Sequence, residues 1–333
     1  MTSMVTNESC HTSQEYSKIK KFIVNRNITM ELIQRITTVA AAFLFSTSPL
    51  AEDEIAQAVE TGKALSEQQL LNMADDATTN YLSDFFPTVE VNYSIAGGDK
   101  PLTGILFVAP IFESEDLTNT FFNQSSIFHQ DGDTTVNLGL GFRRLAFNQL
   151  ALLGANMFYD HELDTDHKRT SFGGEFRTSI AELNANYYWA LSDLKTINAT
   201  LFEQALDGWD LELGVPLPFI NWAKVYAKTF RWHGESNDDF DGNEYSLRLN
   251  PPFSANWTVE AIVSDREEGD DVKTLTVTYN FLTGVRDQSK SQNLIQDTAY
   301  QLHSMAAHRF DKVRRENRII KEETTAGFAI VGF

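Results

Sequence analysis

The sequence predicts an all-β fold, a transmembrane antiparallel β-barrel of about 12 strands built from residues 87–282. Segments of about ten residues alternate between polar and apolar side chains, and turns rich in Gly, Asp, Asn and Pro separate them. After the N-terminal region, no stretch approaches the roughly 18 consecutive apolar residues that a membrane helix requires. A closed barrel is the other structure that satisfies every backbone polar group in lipid, so strands must do the spanning.

The charge balance and the cysteine content exclude several classes of protein. The 333-residue chain has a formal net charge of -19, whereas nucleic-acid binding needs a clustered positive field. The one cysteine, Cys10, precedes the apolar stretch 36–45 instead of following it. We therefore expect neither a disulfide in the exported chain nor a lipoprotein-type lipid anchor.

The N-terminal region predicts export. Arg35 precedes a short apolar core, Ser46 to Ser48 follow it, and acidic residues begin at Glu52, which is the order of a secretory signal. We interpret 1–51 as an extended signal peptide, with Met30 as an alternative start. Residues 52–86 are acidic with spaced apolar residues, which predicts a short helical lead-in in the periplasm.

Period-two alternation locates the strands. In residues 274–281 the even positions are Thr or Asn and the odd positions are apolar or aromatic, so the two sets face opposite sides of a sheet. In the second, third and fifth strands the two faces differ least. The predicted strands are 87–95, 102–111, 119–129, 134–144, 149–159, 168–178, 181–190, 208–217, 221–231, 243–250, 256–264 and 272–282.

The connections distinguish a membrane barrel from a soluble β-sandwich, which alternation alone would also fit. With the N-terminus in the periplasm, the periplasmic turns are short: 113–118, 146–148, 179–180, 218–220 and 251–255. The opposite set includes 160–167, 191–207, 232–242 and 265–271, which are generally longer and mostly acidic. Short periplasmic turns with longer external loops are typical of outer-membrane barrels.

Aromatic residues at strand ends predict the membrane interfaces. We assign Trp189, Trp209 and Trp232 to an outer girdle and Trp222 and Trp257 to an inner one, the alternative being tryptophans that close a core. Tyr279 and Phe281 end the last strand on its apolar face. This ending resembles the terminal aromatic signal read by the barrel-assembly machinery, and an ordinary lipid-facing pair is the alternative.

Charged residues on the opposite strand faces predict a wet lumen. The set carries both signs and consists of Arg143, Glu175, Arg177, Asp210, Glu212, Lys224, Lys228, Arg248 and Glu260.

Residues 138–193 resemble the β-domain of the intimin/invasin family, the inverse autotransporters. The resemblance rests on LGLGFRR at 138–144, GANMFYD at 154–160, ANYYWALSD at 185–193 and GWDLELGVPLP at 208–218. The segment MAAHRFDKVRRENRIIKEE at 305–323 is similar to the linker that follows the barrel in that family. With NMADDATTNYLSDFF before the first strand, the resemblance covers roughly residues 65–323.

The resemblance implies twelve strands, a chain that turns back through the lumen, and an adhesive passenger on the cell surface. Here it implies a linker, 283–323, that threads the lumen and pairs with the charged residues above, followed by a short stub, 324–333. We expect barrel and linker only, with the passenger missing. The implied function is a translocator and anchor in the Gram-negative outer membrane, of the type V secretion class. The implied partners are outer-membrane lipid, the barrel-assembly machinery, periplasmic chaperones and a passenger encoded separately.

Two other functions remain open: a barrel-only pore or in-trans secretion partner, and a barrel enzyme with a rim site. The rim sequence DHELDTDH supplies the acidic and histidine side chains for the second, but its spacing matches no helix-based zinc motif. We therefore expect no enzyme, no cofactor and no metal site, and we interpret these residues as solvated loop charges. They are Asp160, His161, Glu162, Asp164, Asp166 and His167.

Overall fold

The computed structural model describes residues 86–96, 100–235, 238–250, 252, 256–266, 271–281, 294–325 and 328–332. The predicted signal peptide and almost all of the predicted helical lead-in lie outside these residues. Within the described ranges, no helix has the length and apolar character that crossing a bilayer would require.

Twelve antiparallel strands form a closed barrel, which confirms the predicted fold class and strand count. The barrel closes where β1 pairs with β14, with Glu90 opposite Asn280 and Ile95 opposite Leu275. The barrel strands are β1 (Thr88–Ala96), β2 (Leu102–Glu113), β3 (Asn119–Gln130), β4 (Asp133–Ala146), β5 (Ala151–Glu162), β6 (Lys168–Thr178), β7 (Glu182–Ala190), β10 (Asp207–Leu217), β11 (Ile220–His233), β12 (Phe240–Leu249), β13 (Trp257–Arg266) and β14 (Val272–Asn280). Each predicted segment matches one of them, with its ends shifted by a few residues.

A second, smaller sheet forms beside the barrel strands. It contains β8 (Lys195–Thr196), β9 (Leu201–Ala205), β15 (Lys321–Thr325) and β16 (Phe328–Gly332), in the order β16-β15-β9-β8. The sequence predicted only a long loop at 191–207. Its strands escaped alternation analysis because β9 is paired with β15, more than a hundred residues away in the chain, with Leu201 opposite Thr325.

The connections divide the barrel into two rims. The turns after β2, β4, β6, β10 and β12 form one rim, here called the short-turn rim, and the connections after β1, β3, β5, β7, β11 and β13 form the other, the long-loop rim. Several turns use left-handed backbone, as at Phe147, Asn148 and Gln149 with φ of 52°, 55° and 66°. The second sheet grows from the long-loop rim, because β8 and β9 lie between β7 and β10.

The two faces of the barrel wall differ in character. The outward face exposes apolar side chains such as Leu211 and Leu213, while their neighbours Asp210 and Glu212 are buried. The inner face is not uniformly polar, however: Leu106 on β2, Phe122 on β3, and others are buried there. These apolar inner residues explain why β2, β3 and β5 show the weakest alternation, since both of their faces carry apolar side chains.

The tryptophans do not all lie on the outward face. Trp189 is 38% exposed and Trp257 is 45% exposed, while Trp209 and Trp222 are half-buried. Trp232 is only 3% exposed and belongs to an apolar cluster on the inner face. The assignment of Trp232 to a lipid-facing girdle is therefore wrong, because alternation along β11 places it in phase with buried Phe230.

Inner-face aromatic rings lie over glycines on the neighbouring strand. Phe158 on β5 is the cross-strand partner of Gly139 on β4, and a Cβ added at Gly139 would stand 2.2 Å from its ring. Phe122 on β3 covers Gly141 in the same way, at 2.1 Å. The missing Cβ makes space for the ring to lie flat against the wall, which leaves its other face free for a further contact.

We predict that Gly139→Ala destabilises the barrel by about 1–3 kcal/mol, because the added methyl group must displace the packed ring of Phe158. The measurement is urea unfolding of the refolded protein in lipid vesicles. Gly174→Ala is the matched control, since a Cβ there meets nothing within 4 Å, and it should leave the unfolding midpoint unchanged. Equal effects of the two substitutions would contradict the assigned role of Gly139.

Candidate functional site

Residues 305–320, here called the inner segment, lie against the inner face of the barrel strands. A 3-10 helix at Ala306–His308 is its one regular element, so most of its backbone polar groups need partners elsewhere. Wall side chains supply them. Gln124 Oε1 accepts from the Val313 N–H at 2.8 Å, and Thr88 Oγ1 donates to the Phe310 carbonyl at 2.6 Å. Further wall donors to inner-segment carbonyls are Arg143 to Arg309 and Asp311, Arg177 to Lys312, Asn186 to Arg314, Arg169 to Glu316, and Asn137 to Asn317.

Apolar contacts hold the inner segment at three levels. Met305 packs with Leu145 and Leu152 near the short-turn rim. Phe310 and Val313 pack in the middle, with Leu106, Val108, Phe122 and Phe158. Ile320 packs towards the long-loop rim, with Tyr188, Leu206, Phe230, Trp232 and Phe240. Burial of an apolar side chain contributes about 1.5–3 kcal/mol, so these contacts hold the inner segment as well as hydrogen bonds do.

A buried charge cluster links the wall to the inner segment. Glu175 lies between Arg143 and Arg177, with N–O distances of 2.6 Å and 2.7 Å, and all three side chains are almost completely buried. The Arg143 guanidinium also stacks over the Phe122 ring at 4.4 Å. Because Glu175 balances both cations, the two arginines remain free to donate to the carbonyls of Asp311 and Lys312.

Arg314 binds two carboxylates on one side of the barrel. Its Nε and Nη2 donate to Glu212 on β10 at 2.6 Å and 2.8 Å, a paired geometry specific to guanidinium. Nη2 also donates to Glu260 on β13 at 2.9 Å. The guanidinium stacks over the Tyr226 ring at 4.0 Å.

Arg315 binds the opposite side of the barrel. Its Nη1 and Nη2 donate to Asp160 on β5 at 2.9 Å and 2.6 Å, and both side chains are fully buried. The guanidinium stacks over Phe158 at 4.2 Å and reaches Ser171 Oγ at 3.1 Å. Arg169 donates to the same carboxylate at 2.9 Å, so Asp160 holds two arginines.

Lys321 marks the point where the inner segment continues into the second sheet. Its ammonium lies 2.8 Å from Glu162, 3.0 Å from Asp133 and 3.1 Å from Glu203. Burial acts to lower the pKa of Lys321, but the charge of Glu162 and hydrogen bonds to Glu162 and Asp133 outweigh it, so the pKa lies above its ordinary value. Burial likewise acts to raise the pKa of Glu203, and His167, 3.6 Å away, together with the Lys321 charge lowers it overall.

The predicted lumen residues fall into three groups. Arg143, Arg177, Glu212 and Glu260 bond directly to the inner segment. Glu175 acts through the two arginines, and Asp210 through Tyr188, whose hydroxyl donates to Asp210 at 2.6 Å and accepts from the Glu316 N–H at 2.8 Å. The remaining three lie along the wall. Lys224 forms an ion pair with Glu182 and Lys228 forms one with Glu244, while Arg248 is the strand-register neighbour of Lys224.

Sequence analysis missed several inner-segment contacts. Asn137 and Asn186 lie on the polar strand faces, but alternation does not show that they donate to the carbonyls of Asn317 and Arg314. Tyr188 shares the phase of Asn186, and Arg169 that of Ser171, which is the signal that would have placed both on the inner face.

Three of the six rim residues are buried instead of solvated, whereas Asp164 and Asp166 are exposed as expected. Asp160 and His167 are fully buried, and Glu162 is 2% exposed. Asp164 accepts a hydrogen bond from the Thr134 N–H at 2.7 Å, and Asp166 forms ion pairs with His161 and Lys168. The expectation of solvated charges is wrong for Asp160, Glu162 and His167, because Arg315, Lys321 and the second sheet cover them. No metal-holding group of His, Cys, Asp and Glu side chains is found within the described part of the chain.

These features define a class of protein: a closed twelve-strand antiparallel barrel with an apolar exterior, whose inner face holds a segment from its own C-terminal region. The profile of the family described as "Inverse autotransporter, beta-domain" matches residues 42–317. The chain therefore belongs to the inverse autotransporter β-domain family, and it is an outer-membrane β-barrel of the Gram-negative type.

Similar proteins agree with this assignment. The chain is 26% identical to "Inverse autotransporter adhesin YeeJ" of Escherichia coli strain K12, over 83% of this chain and 12% of that protein. It is 26% identical to "Intimin" of Escherichia coli O157:H7, over 71% of this chain and 26% of that protein. It is 25% identical to "Invasin" of Yersinia enterocolitica, over 54% of this chain and 22% of that protein. The chain thus spans about a quarter or less of these relatives.

A solved structure has the same fold. It is described as "Unveiling the Mechanism Behind the in-meso Crystallization of Membrane Proteins" and superposes with a TM-score of 0.57. It is 22% identical, and the match covers 71% of this chain and 100% of that one.

We predict that Glu175→Gln destabilises the protein by about 3–5 kcal/mol, because it leaves Arg143 and Arg177 buried without a counter-charge. Unfolding in urea, followed by the loss of heat-modifiable migration in gels, measures the effect. The control is Asp131→Asn, which breaks the exposed ion pair with Lys100 and should change stability by about 0–1 kcal/mol. A Glu175 variant as stable as the control would contradict the role of this cluster.

Proposed function

We propose that this barrel is a translocator and anchor that displays an adhesive passenger on the cell surface, and that its own linker threads the lumen. The observation that carries the proposal is the pair Arg314 and Arg315. Arg314 bonds to β10 and β13, and Arg315 bonds to β5. Around the barrel, β13 and β5 are separated by β12, β11, β10, β7 and β6 in one direction and by β14, β1, β2, β3 and β4 in the other. A segment that bonds to both walls at once must run between them.

Contacts at both rims support a complete passage. At the short-turn rim, Phe219 exchanges backbone hydrogen bonds with Gln296 and Ala299, and the Met305 N–H donates to the Gln149 carbonyl at 2.7 Å. At the long-loop rim, β15 pairs with β9. In this orientation the linker enters from the periplasm, crosses the lumen along 305–320 and leaves beside the external loop.

The physical task is to hold an extended polypeptide across a membrane without leaving its backbone groups unpaired. Water does this in an open pore, whereas here the wall side chains do it. A passenger joined after the linker would then be held at the surface by the twelve-strand anchor. This work needs no chemical reaction, and we propose no enzymatic activity. Names of the relatives, "Inverse autotransporter adhesin YeeJ", "Intimin" and "Invasin", support the same role.

Insertion of such a barrel needs the outer-membrane assembly machinery and periplasmic chaperones, which we propose as transient partners. Tyr279 is the candidate recognition residue, with Phe281. The rings of this pair lie 4.8 Å apart, and Tyr279 also contacts Trp257 at the short-turn rim. The remaining tryptophans of the outward face, Trp189 and Trp209, are proposed interface anchors. Trp222, whose Nε1 donates to the Leu294 carbonyl at 2.8 Å, is a proposed anchor at the short-turn rim.

We predict that an epitope-tagged immunoglobulin-like domain fused after Phe333 reaches the surface of intact cells, where external protease removes it. The same fusion lacking residues 294–325 should leave the tag protected until the outer membrane is permeabilised. Comparable barrel levels in both strains, measured by heat-modifiable migration, show that insertion itself is intact. A full-length fusion that stays protected on intact cells would refute the display function.

A pore is the second candidate, because a cavity of about 280 Å³ remains between the linker and the wall. We predict that deleting 294–325 raises the single-channel conductance in planar bilayers several-fold over the full chain, because the segment that contacts the inner wall is then gone and the lumen of a twelve-strand barrel is left unfilled. Deleting only 328–332, the strand β16 that pairs with β15 in the second sheet, is the control and should leave the conductance unchanged. Equal conductance of the full and the 294–325-deleted chains would count against a threaded lumen.

A further inference from the structure

Two sites on the inner wall share one design, which is specific for a guanidinium group. The first, here called the Glu cradle, has Glu212 and Glu260 as acceptors and the Tyr226 ring as a stacking platform. The second, the Asp cradle, has Asp160 as acceptor and the Phe158 ring as platform. In each, a wall glycine lies under the ring: a Cβ at Gly214 would stand 2.3 Å from Tyr226, and one at Gly139 would stand 2.2 Å from Phe158.

The two cradles bind two adjacent residues of the inner segment, Arg314 and Arg315. An extended chain points successive side chains in opposite directions, so neighbouring residues reach opposite walls. Val313 packs with Leu106 and Phe158, on the same side as the Arg315 contact, which shows this alternation across 313–315. The cradles therefore bind an Arg-Arg dipeptide whose first arginine faces β10 and β13 and whose second faces β5.

Only one register of the linker satisfies both cradles. If the chain moved outwards by one residue, Val313 would face the Glu cradle and leave Glu212 and Glu260 without a cation. If it moved inwards by one, Glu316 would face Asp160, and two carboxylates would meet in a buried site. Leaving a buried charge unpaired is among the most destabilising changes in a protein, so either shift is strongly disfavoured.

Shifts of two residues fail for the same reason. Outwards, Lys312 would reach the Glu cradle, but Val313 would face Asp160. Inwards, Glu316 would face Glu212 and Glu260. Apolar contacts alone discriminate less sharply, because hydrophobic burial is non-directional and tolerates sliding better than paired charges do.

We propose that the two cradles form a register site for the Arg314-Arg315 pair, which stops the translocating chain at one position in the lumen. This inference rests on the proposed threading of the linker. It assigns to Arg314 and Arg315 a positioning role and to Glu212, Glu260 and Asp160 the recognition of the arginine pair. Arg318, at the end of the segment, pairs with Glu316 and Gln130 and is 28% exposed, so it has no cradle of its own.

Disulfide trapping at the long-loop rim tests the register. Phe202 on β9 is opposite Thr324 on β15, so F202C/T324C reports the native register. A chain shifted outwards by two residues would place Glu322 there, so F202C/E322C reports the shifted one. Both pairs are made in the full chain with Cys10 replaced by Ser, and crosslinking is measured in outer membranes on non-reducing gels.

We predict that R314Q/R315Q lowers the ratio of native to shifted crosslink by roughly tenfold or more, because both cradles lose their cations. R318Q is the matched control on the same segment and should leave the ratio within about twofold, as expected for a half-buried pair outside both cradles. R314K/R315K should lie between, since lysine keeps the charge but cannot donate the paired bonds. The wall-side variant E212Q/E260Q should also lower the ratio.

The outcomes separate this inference from the proposed function. A 202–324 crosslink that is absent even with both arginines intact refutes threading next to β9. A crosslink that forms equally with R314Q/R315Q, or with E212Q/E260Q where the arginine variant does not give a folded barrel, refutes the register site and leaves threading standing.

Discussion

The structure depends on one requirement: a polypeptide without regular secondary structure runs along the inner face of the barrel, and its backbone polar groups must be paired there. Wall side chains meet this requirement: Gln124 accepts a hydrogen bond from the Val313 N–H, and Arg143 donates one to the Asp311 carbonyl. Each such wall group must itself be held, which is why Glu175 lies between two arginines. The inner face is therefore a fitted surface and not a generic polar lining.

This requirement also accounts for the aromatic residues of the inner face. Phe158 and Tyr226 each lie flat over a glycine on the neighbouring strand. The ring face that points away from the wall stacks against an arginine of the inner segment. A stacked guanidinium still presents its edge to carboxylates, so one arginine satisfies both groups. Charge and apolar contact thus act on the same side chains, which gives the linker one favoured position.

Sequence analysis located the barrel strands well and the site only in part. It identified Glu212 and Glu260 as inward-facing, because alternation along a strand is a local property. It misplaced Trp232, and it interpreted Asp160 as a solvated charge. In both cases the deciding partner is remote in sequence: Ile320 packs in the cluster of Trp232, and Arg315 covers Asp160. No local pattern carries that information.

The sequence by itself determined the barrel: its twelve strands, its short and long connections, and its family. The strands and connections follow from side-chain periodicity and turn composition, which act over a few residues. The family follows from its motifs, such as LGLGFRR at 138–144 and GWDLELGVPLP at 208–218. Only the tertiary structure decided the pairing of β9 with β15, the packing of apolar residues on the inner faces of β2, β3 and β5, and the opposite directions of Arg314 and Arg315. These depend on which distant groups meet once the barrel has closed.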